Sequence, residues 1–378
     1  MTLRSVMLAV LATASLAAPG CGGSQSSEAV APPPPPPSGA PAPIPSAAPA
    51  EAAPAQAGDP KILKLAEAAL ACPLEEGRLA YECEGYKAWS EEQDLFSDHE
   101  KAWPTLLAML ESPDEKRRLL AADKFYMPSS VDDKAMVDRV VAVQKKETNP
   151  QVAKDLASLL ARIDMVKLGH GDDLRALAKH PEKEVRESIA FYLLRPHQNP
   201  TTLEVLGILL QDPERDVKRQ AIGALSPTTD STEAVCKIVR EQMKRTDDLV
   251  GEALKTASRT RCEGIHGEVI DALAKNTTDA TKIVNAVGVD YALAVEWACR
   301  ETPKPEAKKK GFAVAKKLTD VKVPDANTRR AALSALGVCD AAAATSVLTA
   351  LGKDKDKYVS EAAAKELAEL KKKAAAQK

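Results

Sequence analysis

Seven cysteines carry the most specific chemistry in this chain: Cys21, Cys72, Cys83, Cys236, Cys262, Cys299 and Cys339. A thiol can be acylated, oxidised to a disulfide or bound to a metal, and its sequence context decides which. Metal binding wants imidazoles or further thiols at fixed short spacings. The five histidines, His99, His170, His180, His197 and His266, are scattered, with no pair four apart, so no metal or catalytic cluster is expected. There is no phosphate loop, dinucleotide fingerprint or Gly-x-Ser-x-Gly elbow. No catalytic residue, cofactor or small-molecule substrate is assigned, and the chain is expected not to be an enzyme. Acylation and oxidation remain as the chemistry of its thiols.

The surroundings of Cys21 point to acylation. MTLRSVMLAVLATASLAAPGCGG has one positive charge at Arg4, an apolar run over 6–18 and small residues leading to Cys21, the layout of an export signal. The run is too short to span a bilayer as a stable helix. LAAPGC resembles the lipobox of bacterial lipoproteins. The resemblance implies that the signal, residues 1–20, is cut before Cys21 and that the thiol is diacylated, anchoring the chain in the cell envelope. Gly22 stands where retention signals place Asp, which favours the outer membrane, on its periplasmic or surface face. An ordinary secretory signal that leaves a soluble protein is the alternative.

Residues 21–58 are rich in Pro, Ala, Ser and Gly, with six consecutive prolines from Pro32 to Pro37. Such a chain cannot build a core. It is expected to be a disordered tether, a spacer rather than a ligand for a proline-recognition module. At about 3.1 Å per residue in polyproline II it would reach roughly 100 Å.

Beyond the tether the composition is that of an all-α protein. Aromatics make up only 3% of the 378 residues and charged residues 28%, whereas a sandwich or barrel would want more aromatic and β-branched strands. With 52 Lys+Arg against 54 Asp+Glu, nothing calls for nucleic acid. Five segments repeat a polar or proline-bearing turn before an apolar anchor: SPDEKRRLLAADKF (112–125), NPQVAKDLASLL (149–160), HPEKEVRESIAFYL (180–193), DPERDVKRQAIGAL (212–225) and TDDLVGEALKTA (246–257). The anchors are Leu119, Val152, Val185, Val217 and Val250, spaced 33, 33, 32 and 33 residues. Within a unit, Val185, Ile189 and Leu193 recur every four positions on one helical face. Second amphipathic segments at 201–210 and 232–244, reached through loops at 195–200 and 226–230, make each unit a helical hairpin. One hairpin cannot bury both faces, so neighbours must stack.

The pattern x-P-x-x-x-V-R-x-x-A/I resembles the HEAT repeat, most closely its phycobilisome-lyase-type bacterial form. It is clear over 112–257 and resumes at NTRRAALSAL (327–336) and KYVSEAAAKEL (357–367). The resemblance implies an α-α superhelix, here a solenoid of about eight hairpins over 106–378, that binds proteins along its curved face; nothing in this sequence carries over the lyase activity. The section 265–323 lacks the signature, and an insertion is placed around 302–324. Its lysines, in PKPEAKKKGFAVAKK (303–317), are read as a solvated loop and helix face. Arg186 and Lys218, just after their anchors, are expected to pair with carboxylates of adjacent repeats. Residues 59–105, holding Tyr81, Tyr86, Trp89, Phe96 and Trp103, are expected to form a helical cap whose rings close the exposed end of the stack.

An exported chain favours oxidation, but six cysteines allow 15 pairings. Repeat registration selects among them. Cys262 lies 12 residues after Val250 and Cys339 lies 11 after Thr328, so both should end a first helix, with Cys236 and Cys299 each in the preceding second helix. The expected bridges are Cys236–Cys262 and Cys299–Cys339, as equivalent staples, and Cys72–Cys83 within the cap. The function expected from these features is an envelope-anchored scaffold that binds protein partners, its membrane contact being the N-terminal lipid. The alternative is an enzyme or small-ligand carrier with a site between the cap and the first repeats. A deep pocket with convergent polar groups would favour the alternative, and a shallow continuous surface the scaffold.

Overall fold

The computed structural model describes residues 58–194, 198–225, 232–283 and 285–376. The export signal, Cys21, the tether before residue 58 and the loops at 195–197 and 226–231 lie outside the described residues. No described helix is long and apolar enough to cross a membrane.

The described chain begins with α1 (Pro60–Leu70), whose N-cap Asp59 accepts from the backbone N–H groups of Lys61 and Ile62. Two short strands follow, β1 (Leu74–Glu75) and β2 (Arg78–Leu79), paired antiparallel. The helical cap expected from the sequence thus carries one short hairpin besides its helices. The cause of the hairpin is local: Glu76 and Gly77 both take positive φ, the geometry of a tight primed turn. The Cys72–Cys83 disulfide closes the base of the hairpin, its Cα atoms 5.8 Å apart. Next come α2 (Glu84–Glu91) and α3 (Asp94–Ser97). Gly85 permits α2 to lie against α1, since a Cβ there would sit 2.2 Å from the carbonyl oxygen of Ala68. Trp89 is fully buried and edge-on to Phe96 at 5.0 Å, so these two rings fill the end of the stack. Tyr81 instead stays exposed.

The array then runs α4 (His99–Leu110), α5 (Glu115–Lys124), α6 (Lys134–Gln144), α7 (Pro150–Leu160), α8 (Gly171–Leu177), α9 (Lys183–Tyr192), α10 (Pro200–Leu209) and α11 (Arg215–Ala224). It continues through α12 (Glu233–Gln242), α13 (Val250–Ser258), α14 (Ile265–Asn276), α15 (Asn285–Glu301), α16 (Pro305–Leu318), α17 (Ala326–Cys339), α18 (Ala341–Leu351) and α19 (Lys357–Ala376). Side-chain caps mark the starts, as at Asp114, Asn149, Asn199 and Asp325, and Pro150 and Pro200 occupy first helical positions where no N–H partner is lost. From α5 to α19 each odd-numbered helix packs on the next odd one, and the even-numbered helices fill in beside their hairpin mates. The odd row is thus the closely packed inner side of a HEAT-like solenoid, and one hydrophobic core runs through the whole array.

The anchors Val152, Val185, Val217 and Val250 are all buried on odd helices. Leu119 is buried too, but not as their equivalent. Counting from the N-caps Asp114, Asn149, Glu182 and Glu214, the third residue is Arg117, Val152, Val185 and Val217. The first unit borders the cap, so its anchor place tolerates a half-exposed arginine and its apolar residues start two positions later.

The supposed insertion at 302–324 is a correction. It is a regular helix, α16, whose Gly311, Val314, Ala315 and Leu318 enter the core. The long spacing arises because α15 has 17 residues and α16 has 14. This changes the disulfides as well. Cys236 lies on even helix α12 and joins Cys262 in the loop after α13, with Cα atoms 5.6 Å apart. Cys299 lies on odd helix α15 and joins Cys339 at the end of odd helix α17, at 5.0 Å. The two bridges are therefore not equivalent: the first joins an even helix to the loop between α13 and α14, the second joins two members of the inner row. Gly311 of α16 leaves room for the second, because a Cβ would come within 2.3 Å of the Cys299 sulfur.

Candidate interaction surface

The charged residues that recur at fixed places in the units form the frame of the surface. Arg186, fourth after its N-cap, bonds both oxygens of Asp212 (2.7 and 3.1 Å) and the carbonyls of His180 and Pro181. Arg118 does the same with Glu147 and the carbonyls of Ser112 and Pro113. Arg329 approaches Asp354 at 3.5 Å. In each case the acid sits three residues before the first residue of the next odd helix and accepts a backbone N–H in that turn, from Asn149, Glu214 or Asp356. Arg118 and Arg186 thereby each tie the turn of their own unit to the turn of the next. Lys218 stands at the same place but acts on Asp247 through space, and Ala153 and Ala253 occupy it elsewhere.

A second set of pairs spans the even row, including Arg139–Glu111, Arg175–Glu204, Arg240–Glu268 and Lys310–Asp271. His170 is nine-tenths buried between Asp173, 2.8 Å from Nδ1, and Asp138, 2.8 Å from Nε2. Lys134 and Lys145 in turn hold these two acids, so the imidazole is one member of a hydrogen-bonded link between α6 and α8. Sequence spacing could not find this group, whose members come from two different helices.

The solvent-facing side of the inner row is different: half-buried polar and aromatic groups join several neighbouring helices. Arg162, just past α7, lies over the ring of Tyr192 at 4.3 Å and donates to its hydroxyl at 2.7 Å, with exposed Phe191 edge-on beside it. Gln220 of α11 donates to Glu187 of α9. Lys255 of α13 bridges Glu252 and Asp290 of α15, both at 2.7 Å. Burial lowers the Lys255 pKa, but the hydrogen bonds to Asp290 and Glu252 outweigh it and leave the ammonium above its ordinary value. Trp297 of α15 lies between the guanidinium groups of Arg259 (5.6 Å) and Arg300 (5.2 Å). Paired arginine and aromatic groups of this kind are the side chains most enriched at protein interfaces.

At the cap end of this strip, Arg78, Tyr86, Asp123, Gln151 and Asp155 line a crevice of about 140 Å³. Burial pushes the carboxyl of Asp155 above the usual range against the opposing hydrogen bonds from Gln151. Burial also raises Asp123, with Asp155 adding to it, and Tyr86 is pushed up to about 12 by burial and then by the two acids. A folded-state pKa raised above the unfolded one gives a stability contribution that is present below the unfolded pKa and lost as pH rises through the folded pKa. Asp155→Asn is therefore expected to raise the thermal midpoint at pH 7, with the gap to the parent closing as pH falls to about 4. A variant less stable than the parent at pH 7 would contradict this reading of the crevice.

Residues 171–259, from the start of α8 through α13, match the family of HEAT repeats. No curated protein matches the chain.

Proposed function

We propose that this protein is an envelope-anchored, non-enzymatic interaction scaffold: lipid at Cys21, a proline-rich spacer, then a HEAT-like solenoid of the phycobilisome-lyase type whose inner row meets a protein partner. The outer membrane is its proposed address. The observation that carries the reading is the set of arginine–aromatic and polar contacts along the inner row, joining α7 to α9, α9 to α11 and α13 to α15. A binding surface of this kind needs many modest contacts held at fixed spacing, and the Arg118, Arg186 and Arg329 clamps supply the spacing. The competing enzyme or carrier reading requires a pocket beside the cap. Of the hollows there, the crevice at Tyr86 and Asp155, at about 140 Å³, is well below the roughly 300–1,000 Å³ of small-ligand sites, and the hollow of about 450 Å³ at Asp98, His99, Trp103 and Pro128 is a shallow depression open to solvent.

Anchoring is tested by metabolic fatty-acid labelling, in which the label is expected on the parent chain and absent from Cys21→Ser; label that persists in the variant refutes it. The scaffold reading is tested by cross-linking in the native envelope and identifying what is captured. The expected result is a reproducible partner that is lost from the double variant Arg162→Ala/Tyr192→Ala while its helical circular dichroism is retained. Capture unchanged by that variant and by Trp297→Ala would move the partner off the inner row.

A further inference from the structure

Charge is segregated along this solenoid. Between residues 75 and 101 the cap carries nine acidic side chains against three basic ones. Glu82, Glu84 and Glu91 are exposed, and among the described ion pairs of this stretch only Asp98 is engaged, by Lys101. Far along the array, residues 303–322 hold seven lysines against two acids. The spacing of seven and eight residues puts Lys309, Lys316 and Lys317 on one side of α16, opposite the buried Val314 and Leu318. All three are exposed and none is in a described ion pair; Lys310 alone is engaged, by Asp271 of α14.

The two surfaces cannot neutralise each other within one chain. The cap packs on α4 and α5, α16 packs on α14, α15 and α17, and the hairpins between them hold the two regions apart. We infer that the acidic cap of one copy docks on the lysine face of α16 of a second copy. The occupant follows from charge complementarity carried by the chain itself. An anionic membrane fits less well, because helices that lie in a bilayer interface insert an apolar face and α16 has spent its own in the core. The contact is heterologous, so each bound copy presents a free cap or a free lysine face, and assembly continues beyond a dimer. It leaves the inner row open and is independent of the partner proposed there.

The test uses the exported chain carrying Cys21→Ser, followed by sedimentation over a range of concentrations. At about 20 mM salt the apparent mass is expected to climb more than two-fold above the monomer, and at about 0.5 M salt to return to it. Lys309→Glu/Lys316→Glu/Lys317→Glu and Glu82→Lys/Glu84→Lys/Glu91→Lys should each be monomeric at low salt, and mixing the two reversed chains should restore association. The mixing arm separates a true cap-to-α16 contact from misfolding of either variant. A parent chain that stays monomeric at low salt overturns the inference, as does association that survives both reversals. Binding to phosphatidylglycerol vesicles without self-association also overturns it and makes the membrane the occupant of the lysine face.

Discussion

Val185→Asp and Val217→Asp are each expected to destabilise the middle of the array by more than about 4 kcal/mol, enough to lose cooperative unfolding of the neighbouring hairpins. Val185 is 0% exposed and Val217 1%, and both sit on odd helices, α9 and α11, that pack directly on each other. A carboxylate placed there has no cation to meet, and it removes apolar contacts from two units at once. In a stacked array the loss reaches beyond one hairpin, because each unit is stable only through its neighbours. Denaturant unfolding followed by far-UV circular dichroism measures the effect. Lys183→Ala, on the exposed start of the same helix, should stay within about 0.5 kcal/mol of the parent. Parent-like midpoints for both aspartate variants would refute the assignment of these valines to the packed row.

The second large effect concerns the clamp between turns. Arg186→Ala leaves Asp212 buried with the N–H of Glu214 as its remaining described partner, and Asp212→Ala leaves a buried guanidinium. Removing one member of such a pair costs about 3–5 kcal/mol. Arg186→Lys should fall between, since an ammonium cannot hold both carboxylate oxygens and two carbonyls in one plane. The double change Arg186→Met/Asp212→Leu should recover most of the loss, because no charge is then stranded. The exposed pair Arg175–Glu204 is the control: Arg175→Ala should leave the unfolding midpoint close to the parent's, because solvent screens the pair. Equal costs for Arg175→Ala and Arg186→Ala would show that burial is not what makes the clamp strong.

Most of the architecture is legible from apolar periodicity, and the places where that reading slips have identifiable causes. The unit at 112–125 was registered on Leu119 because the first odd helix faces the cap, and Arg117 stands where later units place valine. The helix at Pro305–Leu318 reads as an insertion in the sequence because its buried face is built partly from Gly311 and Ala315, whose weak hydrophobicity is masked by six surrounding lysines. With α16 read as an insertion, the repeat register puts Cys299 on a second helix, whereas it lies on α15 of the inner row. The β1–β2 hairpin is only two residues per strand, too short for any alternation to register.

The interaction strip was far less visible. Its contacts join residues about one repeat apart, Arg162 to Tyr192 and Lys255 to Asp290, and the polar residues of a helix carry no mark of which neighbour they will meet. Sequence alone determined the helical hairpin, its repeat length, the capped turns and the stacking of units, because these depend on local propensity and on one apolar face that must be buried wherever the chain goes. Tertiary structure decided which arginines became clamps, which cysteines lie on the inner row and where acidic and basic surfaces stand apart. Those outcomes depend on the rotation of each helix about its axis and on its distance from the next, and both are set only when neighbouring units pack.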